Sequence, residues 1–157
     1  MAEHLLQTSL TLDLPRDEVF EFFSNAENLE AITPPDVGFH ILTPLPIDLR
    51  EGTLVDYKLS LFGIPVKWRT EITKWDPPNE FIDIQVWGPY GQWIHRHVFT
   101  EPEPGKTVIE DEVRYRLPLE PLGDLAHFIV ESQLAKIFAY REKKVIEILM
   151  EKSRRGA

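Results

Sequence analysis

The segment Trp93-Ile94-His95-Arg96-His97 sets two histidines two positions apart. On an extended chain residues i and i+2 share a face, so both imidazoles point the same way. Joined by Asp83 or Asp111, they have the donor set of a metal site. The same residues also make a general acid/base pair, because histidine titrates near neutrality and a carboxylate beside it tunes that titration. The plainer reading is a pair of hydrogen-bonded core histidines, and no metal is expected. The candidates for catalysis are therefore His95, His97 and Asp111. Asp111 is also placed to pair with Arg141 as a buried ion pair joining two elements. Tyr115 would either satisfy that pair or donate to a ligand carbonyl.

Other chemistry is excluded by what the chain lacks. It has no cysteine, which removes disulfides, thiol nucleophiles and thiolate metal sites. Gly105-Lys106-Thr107 resembles the end of a phosphate-binding loop, but position 100 is Thr where glycine is required. There is no Gly-x-Gly-x-x-Gly, His-Glu-x-x-His or Gly-x-Ser-x-Gly. No cofactor is expected.

The elements that must position these residues follow from hydrophobic period. Residues 3–13 alternate imperfectly as a strand and stop at Pro15. Pro15-Arg16-Asp17-Glu18 opens a helix whose apolar face is Val19, Phe20, Phe22 and Phe23; Asn25 and Asn28 break or cap it. A second short helix carries Leu29 and Ile32 and ends at Pro34-Pro35. Period two then runs through 38–43, 52–61, 65–75, 79–87, 91–100 and 106–117, separated by short turns that imply antiparallel hairpins. Leu122, Leu125, Ile129, Leu134, Ile137, Phe138, Val145 and Ile148 recur at helical spacing, which predicts one long helix over 122–151.

The order β-α-α-β6-α is that of one α+β domain over 1–157. A seven-stranded antiparallel sheet with one apolar face must cover it, and only the C-terminal helix is long enough. A twisted sheet curled around one helix leaves a hollow, which the two short helices close at one end. Alternation aims Val55, Tyr57, Leu59 and Leu61 inward, with Val66, Trp68, Thr70 and Ile72 beside them. It likewise aims Trp93, His95, His97 and Phe99 inward, with Ile109, Asp111, Val113 and Tyr115. Phe138 and Arg141 face them from the helix stripe. In 79–87 the pattern alone favours Ile82, Ile84 and Val86 as the inward face.

Composition agrees with a globular chain: 157 residues, 43% hydrophobic and 27% charged. Seventeen basic against 26 acidic residues give a net charge of -9, which repels phosphate backbones and argues against a nucleic acid partner. From Lys136 onward the balance is +4, as suits cations near a helix C-terminus. No apolar run reaches the ~18 residues of a bilayer span and no signal peptide is visible, so a cytoplasmic protein is expected.

Three segments carry a family resemblance: PRDEVFEFFSNAEN from Pro15, FIDIQVWGPYGQWIHRHVF from Phe81, and DEVRYRLPLEPLG from Asp111 with IFAYR from Ile137. With the element order, they resemble the START-like, or Bet v 1-like, helix-grip superfamily (SRPBCC), in its bacterial polyketide cyclase/dehydrase-like, ligand-binding group. The resemblance implies a seven-stranded curved sheet gripping a long C-terminal helix. It also implies a hydrophobic or amphipathic small-molecule ligand such as a lipid, quinone or polyketide. It turns the Phe81-x-Asp83-x-Gln85 face inward, leaving Ile82, Ile84 and Val86 as an outward apolar strip and a possible homodimer contact. The expected ligand-binding set is then Tyr57, Trp68, Asp83, Gln85, Trp93, His95, His97, Phe99, Asp111, Tyr115, Phe138 and Arg141. The alternatives are a cyclase/dehydratase-type enzyme using His/Asp acid-base chemistry, and an interaction protein whose cavity has collapsed.

Overall fold

The computed structural model describes residues 2–118 and 126–155. Seven strands, β1 (His4–Leu12), β2 (His40–Ile41), β3 (Leu54–Leu61), β4 (Ile64–Asp76), β5 (Glu80–Trp87), β6 (Gln92–Glu103) and β7 (Lys106–Arg116), form one sheet in the order β1-β7-β6-β5-β4-β3-β2. Every neighbouring pair is antiparallel. Two short helices, α1 (Arg16–Phe23) and α2 (Glu27–Ala31), follow β1, and α3 (His127–Arg155) ends the described chain. This is the α+β helix-grip arrangement expected from the pattern.

Local chemistry explains the joints. Pro15, in extended conformation, caps α1, whose first turn carries Asp17 and Glu18 against the positive end of the helix dipole. Asn25 Oδ1 accepts the Glu27 N–H at the start of α2, and the Asn28 amide donates to the Phe22 carbonyl, so the two asparagines set the angle between the helices. Thr107, fully buried, donates its hydroxyl to the Leu14 carbonyl at 2.7 Å and fixes where the chain leaves the sheet. Phe62 and Gly63, both at positive φ, form the two-residue turn between β3 and β4. The stretch expected as a strand over 38–43 forms a regular ladder only at His40–Ile41, after which the Leu42 and Thr43 amides both donate to the Asp56 carbonyl.

Register shifts in the β4–β5 pairing, between Arg69 and Thr70 and between Ile72 and Lys74, break the strict alternation there. Phe81 and Asp83 face inward, whereas Trp87, of the same parity, is 41% exposed beneath the Arg69 guanidinium. Val86 lies exposed on the outer face.

The 29 residues of α3 span about 43 Å at 1.5 Å each. Leu134, Phe138, Val145 and Leu149 are its buried stripe. Ile129, expected in that stripe, is 45% exposed. The proposed first turns of this helix, with Leu122 and Leu125, fall outside the described residues. Two apolar clusters lie along the helix. One joins Val145 and Leu149 to Val19, Phe20, Phe81, Phe99 and Ile109. The other joins Leu134 and Phe138 to Val113, Tyr115 and Leu117. Full burial of each such side chain stabilises by roughly 1.5–3 kcal/mol.

Candidate functional site

A cavity of about 200 Å³ lies between sheet and helix. Its walls come from β3 (Val55, Tyr57, Leu59, Leu61), β4 (Trp68, Thr70, Ile72), β5 (Phe81, Asp83), β6 (Trp93, His95, His97) and α3 (Leu134, Ile137, Phe138, Arg141). The α1–α2 segment closes one side with Phe22, Phe23, Asn25, Asn28, Leu29 and Ile32. Most of this surface is apolar. A second, more open groove lies between the Phe62-Gly63 turn and Phe128, Ile129 and Lys136 of α3, and shares Val37 with the cavity lining.

Five side chains, Asp83, His95, His97, Asp111 and Arg141, form one buried polar array. Asp83 stands directly opposite His95 in the β5–β6 register, and Asp111 opposite His97 in β6–β7. The close hydrogen bonds run diagonally instead. His97 Nε2 meets Asp83 Oδ2 at 2.6 Å, and His95 Nε2 meets Asp111 Oδ1 at 2.7 Å. Diagonal neighbours on one sheet face are within reach of long side chains. His97 Nδ1 also lies 3.3 Å from Asp111 Oδ1, an ionic contact without hydrogen-bond alignment. The imidazoles stack at 3.6 Å, and Phe81 stacks on His97 at 4.0 Å. Arg141 reaches Asp111 at 3.5 Å from the helix, with its guanidinium beside the rings of Phe23 and Phe138. Thr8 donates to the other Asp111 oxygen at 3.4 Å.

The surroundings assign the protons. Burial opposes charge on every member, so each ion persists only where a partner offsets that cost. Burial and the charge of His97 push His95 down to about 4, although Asp111 pulls the other way. His97 is also penalised by burial, yet lies between Asp111 and Asp83 and ends above its ordinary value. Burial raises Asp111, but Arg141 and the two histidines outweigh it and hold the carboxyl well below the usual range. Asp83 is held down by His97 against the same burial. Two carboxylates held low, a His97 whose protonated form they favour, and the Arg141 guanidinium thus surround a neutral His95. With Nε2–H donated to Asp111, the lone pair of His95 is on Nδ1, so this ring is the available base of the cavity. Asp83, His95 and His97 also offer ligand atoms within 4.8 Å of one another, and these three would hold a metal ion. A dication there would have to displace the His97 proton close to Arg141.

Of the expected binding residues, Tyr57, Trp68, Asp83, Trp93, His95, His97, Phe138 and Arg141 line the cavity. Asp111 lies behind the histidines, against a separate void of about 20 Å³. Phe99 packs into the core between Phe20, Phe23 and Phe81. The Tyr115 hydroxyl, expected either to serve the Asp111–Arg141 pair or to donate to a ligand carbonyl, meets His127 Nε2 at 3.2 Å. Gln85 folds over its own turn: its amide donates to the Tyr90 carbonyl at 2.8 Å and accepts the Tyr90 N–H at 3.0 Å. It thereby brings Tyr90 into the lining, a residue the alternation argument had no means of finding because it sits in a turn. The closing residues of α1 and α2 were equally hidden, since an apolar helix face does not tell core from cavity.

No family model and no curated protein sequence matches the chain. Solved structures do. The Zhui aromatase/cyclase of Streptomyces sp. R1128 superposes with a TM-score of 0.74 at 16% identity, over 99% of this chain and 97% of that one. Norcoclaurine synthase of Thalictrum flavum gives 0.70 at 12% identity, over 96% and 88%. A START superfamily protein of Mycobacterium smegmatis gives 0.68 at 11% identity, over 92% and 99%. Identities this low speak to the fold alone, and with the gripped helix and the hollow beneath it they lead to one statement: this chain has the START-like, Bet v 1-like fold of the SRPBCC superfamily.

Proposed function

We propose that the protein binds a small, largely apolar molecule with a few polar groups, such as a quinone, a polyketide-like aromatic or a lipid, in the cavity between sheet and helix. The observation that carries this reading is the cavity itself, an apolar chamber into which Asp83, His95, His97 and Arg141 converge from two strands and the helix. Apolar walls supply affinity and a few polar groups fix orientation. Trp68 and Trp93 line the hollow without filling it, which counts against a collapsed core. Among the structural neighbours, norcoclaurine synthase has been crystallised with dopamine and hydroxybenzaldehyde, two small polar aromatics. The chain would act as one domain. No helix among the described residues is long and apolar enough to cross a membrane, and a cytoplasmic location is part of this proposal.

Native mass spectrometry of protein purified from its source tests the reading. The expected result is an added mass of a few hundred daltons, lost in Leu59→Trp, which fills the chamber from β3. A parent protein with no bound mass and no affinity for hydrophobic probes would refute the reading.

A second reading has its own observation. A neutral His95 beside His97, whose protonated form Asp83 and Asp111 favour, gives one cavity a base and an acid, the equipment for proton transfer on a carbonyl compound. The aromatase/cyclase among the neighbours suits this alternative. Under it, His95→Gln and His97→Gln lower turnover of a candidate substrate by about 10²-fold or more while binding persists. Unchanged turnover leaves the binding reading alone.

A further inference from the structure

Trp68 is 5% exposed, and its indole Nε1–H is fully buried with no hydrogen-bond partner. A buried donor left unpaired costs about 1–3 kcal/mol, so it marks a place where a partner belongs. Trp68 lines the cavity. Its ring is stacked on Tyr57 at 5.7 Å and met edge-on by Tyr90 and Trp93 at 5.6 and 5.3 Å. None of these neighbours accepts its proton. The Trp93 indole is donor-only, and the Tyr57 hydroxyl is engaged with Thr70 at 3.2 Å.

The position of this donor matters as much as its vacancy. Ile72 of β4 pairs with Asp83, which pairs with His95, so the polar array sits level with Ile72. Trp68 lies four residues away on the same strand and the same face, about 13 Å of strand at ~3.3 Å per residue. The cavity therefore has a lone donor toward one end and an acid–base array toward the other, and the polar groups between them, the Thr70 and Tyr57 hydroxyls, are bonded to each other.

We infer that the ligand carries an acceptor oxygen, a ketone or quinone carbonyl, that receives the Trp68 indole N–H, and that it meets the His95/Asp83 array with a hydroxyl at its opposite end. Trp68 is then the residue that selects oxygenated ring systems over plain hydrocarbon ones. This rests on the ligand-binding reading above and deepens it by naming the ligand's functional groups.

A matched pair of compounds tests it: 6-hydroxy-1-tetralone, and 5,6,7,8-tetrahydro-2-naphthol, which is the same molecule without the carbonyl. Calorimetric titration of the wild-type protein should favour the ketone by roughly three- to tenfold. In Trp68→Phe, which keeps a ring and removes the donor, that preference should fall to about one, whatever the two absolute affinities become. Should that variant not fold, the Trp68 indole resonance of the wild-type protein reads the same bond, shifting downfield with the ketone and not with the phenol. Binding of both compounds without preference overturns the inference and leaves the ligand-binding reading standing, as does a preference retained in Trp68→Phe. Failure of the protein to bind either compound, or any other hydrophobic probe, overturns both.

Discussion

Of the residues in the polar array, His95 makes the sharpest demand on the protein's pH behaviour. Its value falls from an ordinary ~6.5 in the unfolded chain to about 4 in the fold. The unfolded state therefore binds a proton that the folded state refuses. Stability from this group is complete above pH ~6.5 and is lost as pH falls toward 4. The full drop is on the order of 3 kcal/mol at 1.36 kcal/mol per unit. His97, shifted the other way, contributes fully below pH ~6.5 and loses that contribution as pH rises from there through its raised value. Urea denaturation at pH 7, 5.5 and 4 should show a steep fall in the wild-type protein. In His95→Gln, which keeps a donor near Asp111 but cannot titrate, the fall should be much shallower; equal slopes refute the assignment. Alternation made it legible that both histidines share a face with Asp111, and placing Asp83 with them needed the resemblance. Which carboxylate holds which ring was not legible, because the diagonal pairing depends on register and rotamer, and both are settled only by packing around them.

Among the elements, the β5–β6 turn illustrates how a polar residue of apparent binding character becomes scaffold. Gln85 has the right face and type for a ligand contact, yet its amide closes on the backbone of Tyr90. Gly88 makes this possible: a Cβ there would sit 2.6 Å from Gln85 Oε1. Gln85→Ala leaves the Tyr90 amide and carbonyl without these partners and should cost about 1–3 kcal/mol. Gly88→Ala should act through the same contact by expelling the Gln85 amide. Both variants are expected to weaken binding of a hydrophobic probe, because Tyr90 no longer holds its place against Trp68 and Trp93. Thermal melts with probe titrations check this, and a Gln85→Ala protein with parental stability and affinity contradicts it. Strand and helix types were readable from period and turn residues. The role of Gln85 was not, because period two assigns a face and says nothing of a side chain that folds over at the strand's end.

For the molecule as a whole, the element order alone implied a sheet gripping a helix, since no other element could cover seven strands. It could not show how the outer face behaves. There Ile82 and Ile84 are half-buried and Val86 is exposed. Ile84 pairs with Ile94 on one side and Glu71 on the other, while Ile82 lies between Lys74 and Arg96. Lys74 and Arg96 both pair with Glu80, so charge closes one end of the strip. Three partly covered aliphatic side chains are a small part of the about 800 Å² per partner that a stable interface buries. Association costs of ~4–15 kcal/mol must be met from that small area. A homodimer through this strip is therefore expected to be weak, forming at high micromolar concentration or above. Sedimentation equilibrium over a concentration series should find monomer at low micromolar, with Ile84→Lys removing whatever self-association remains. A submicromolar dimer that survives Ile84→Lys would place the contact elsewhere on the surface and leave this strip as ordinary exposed sheet.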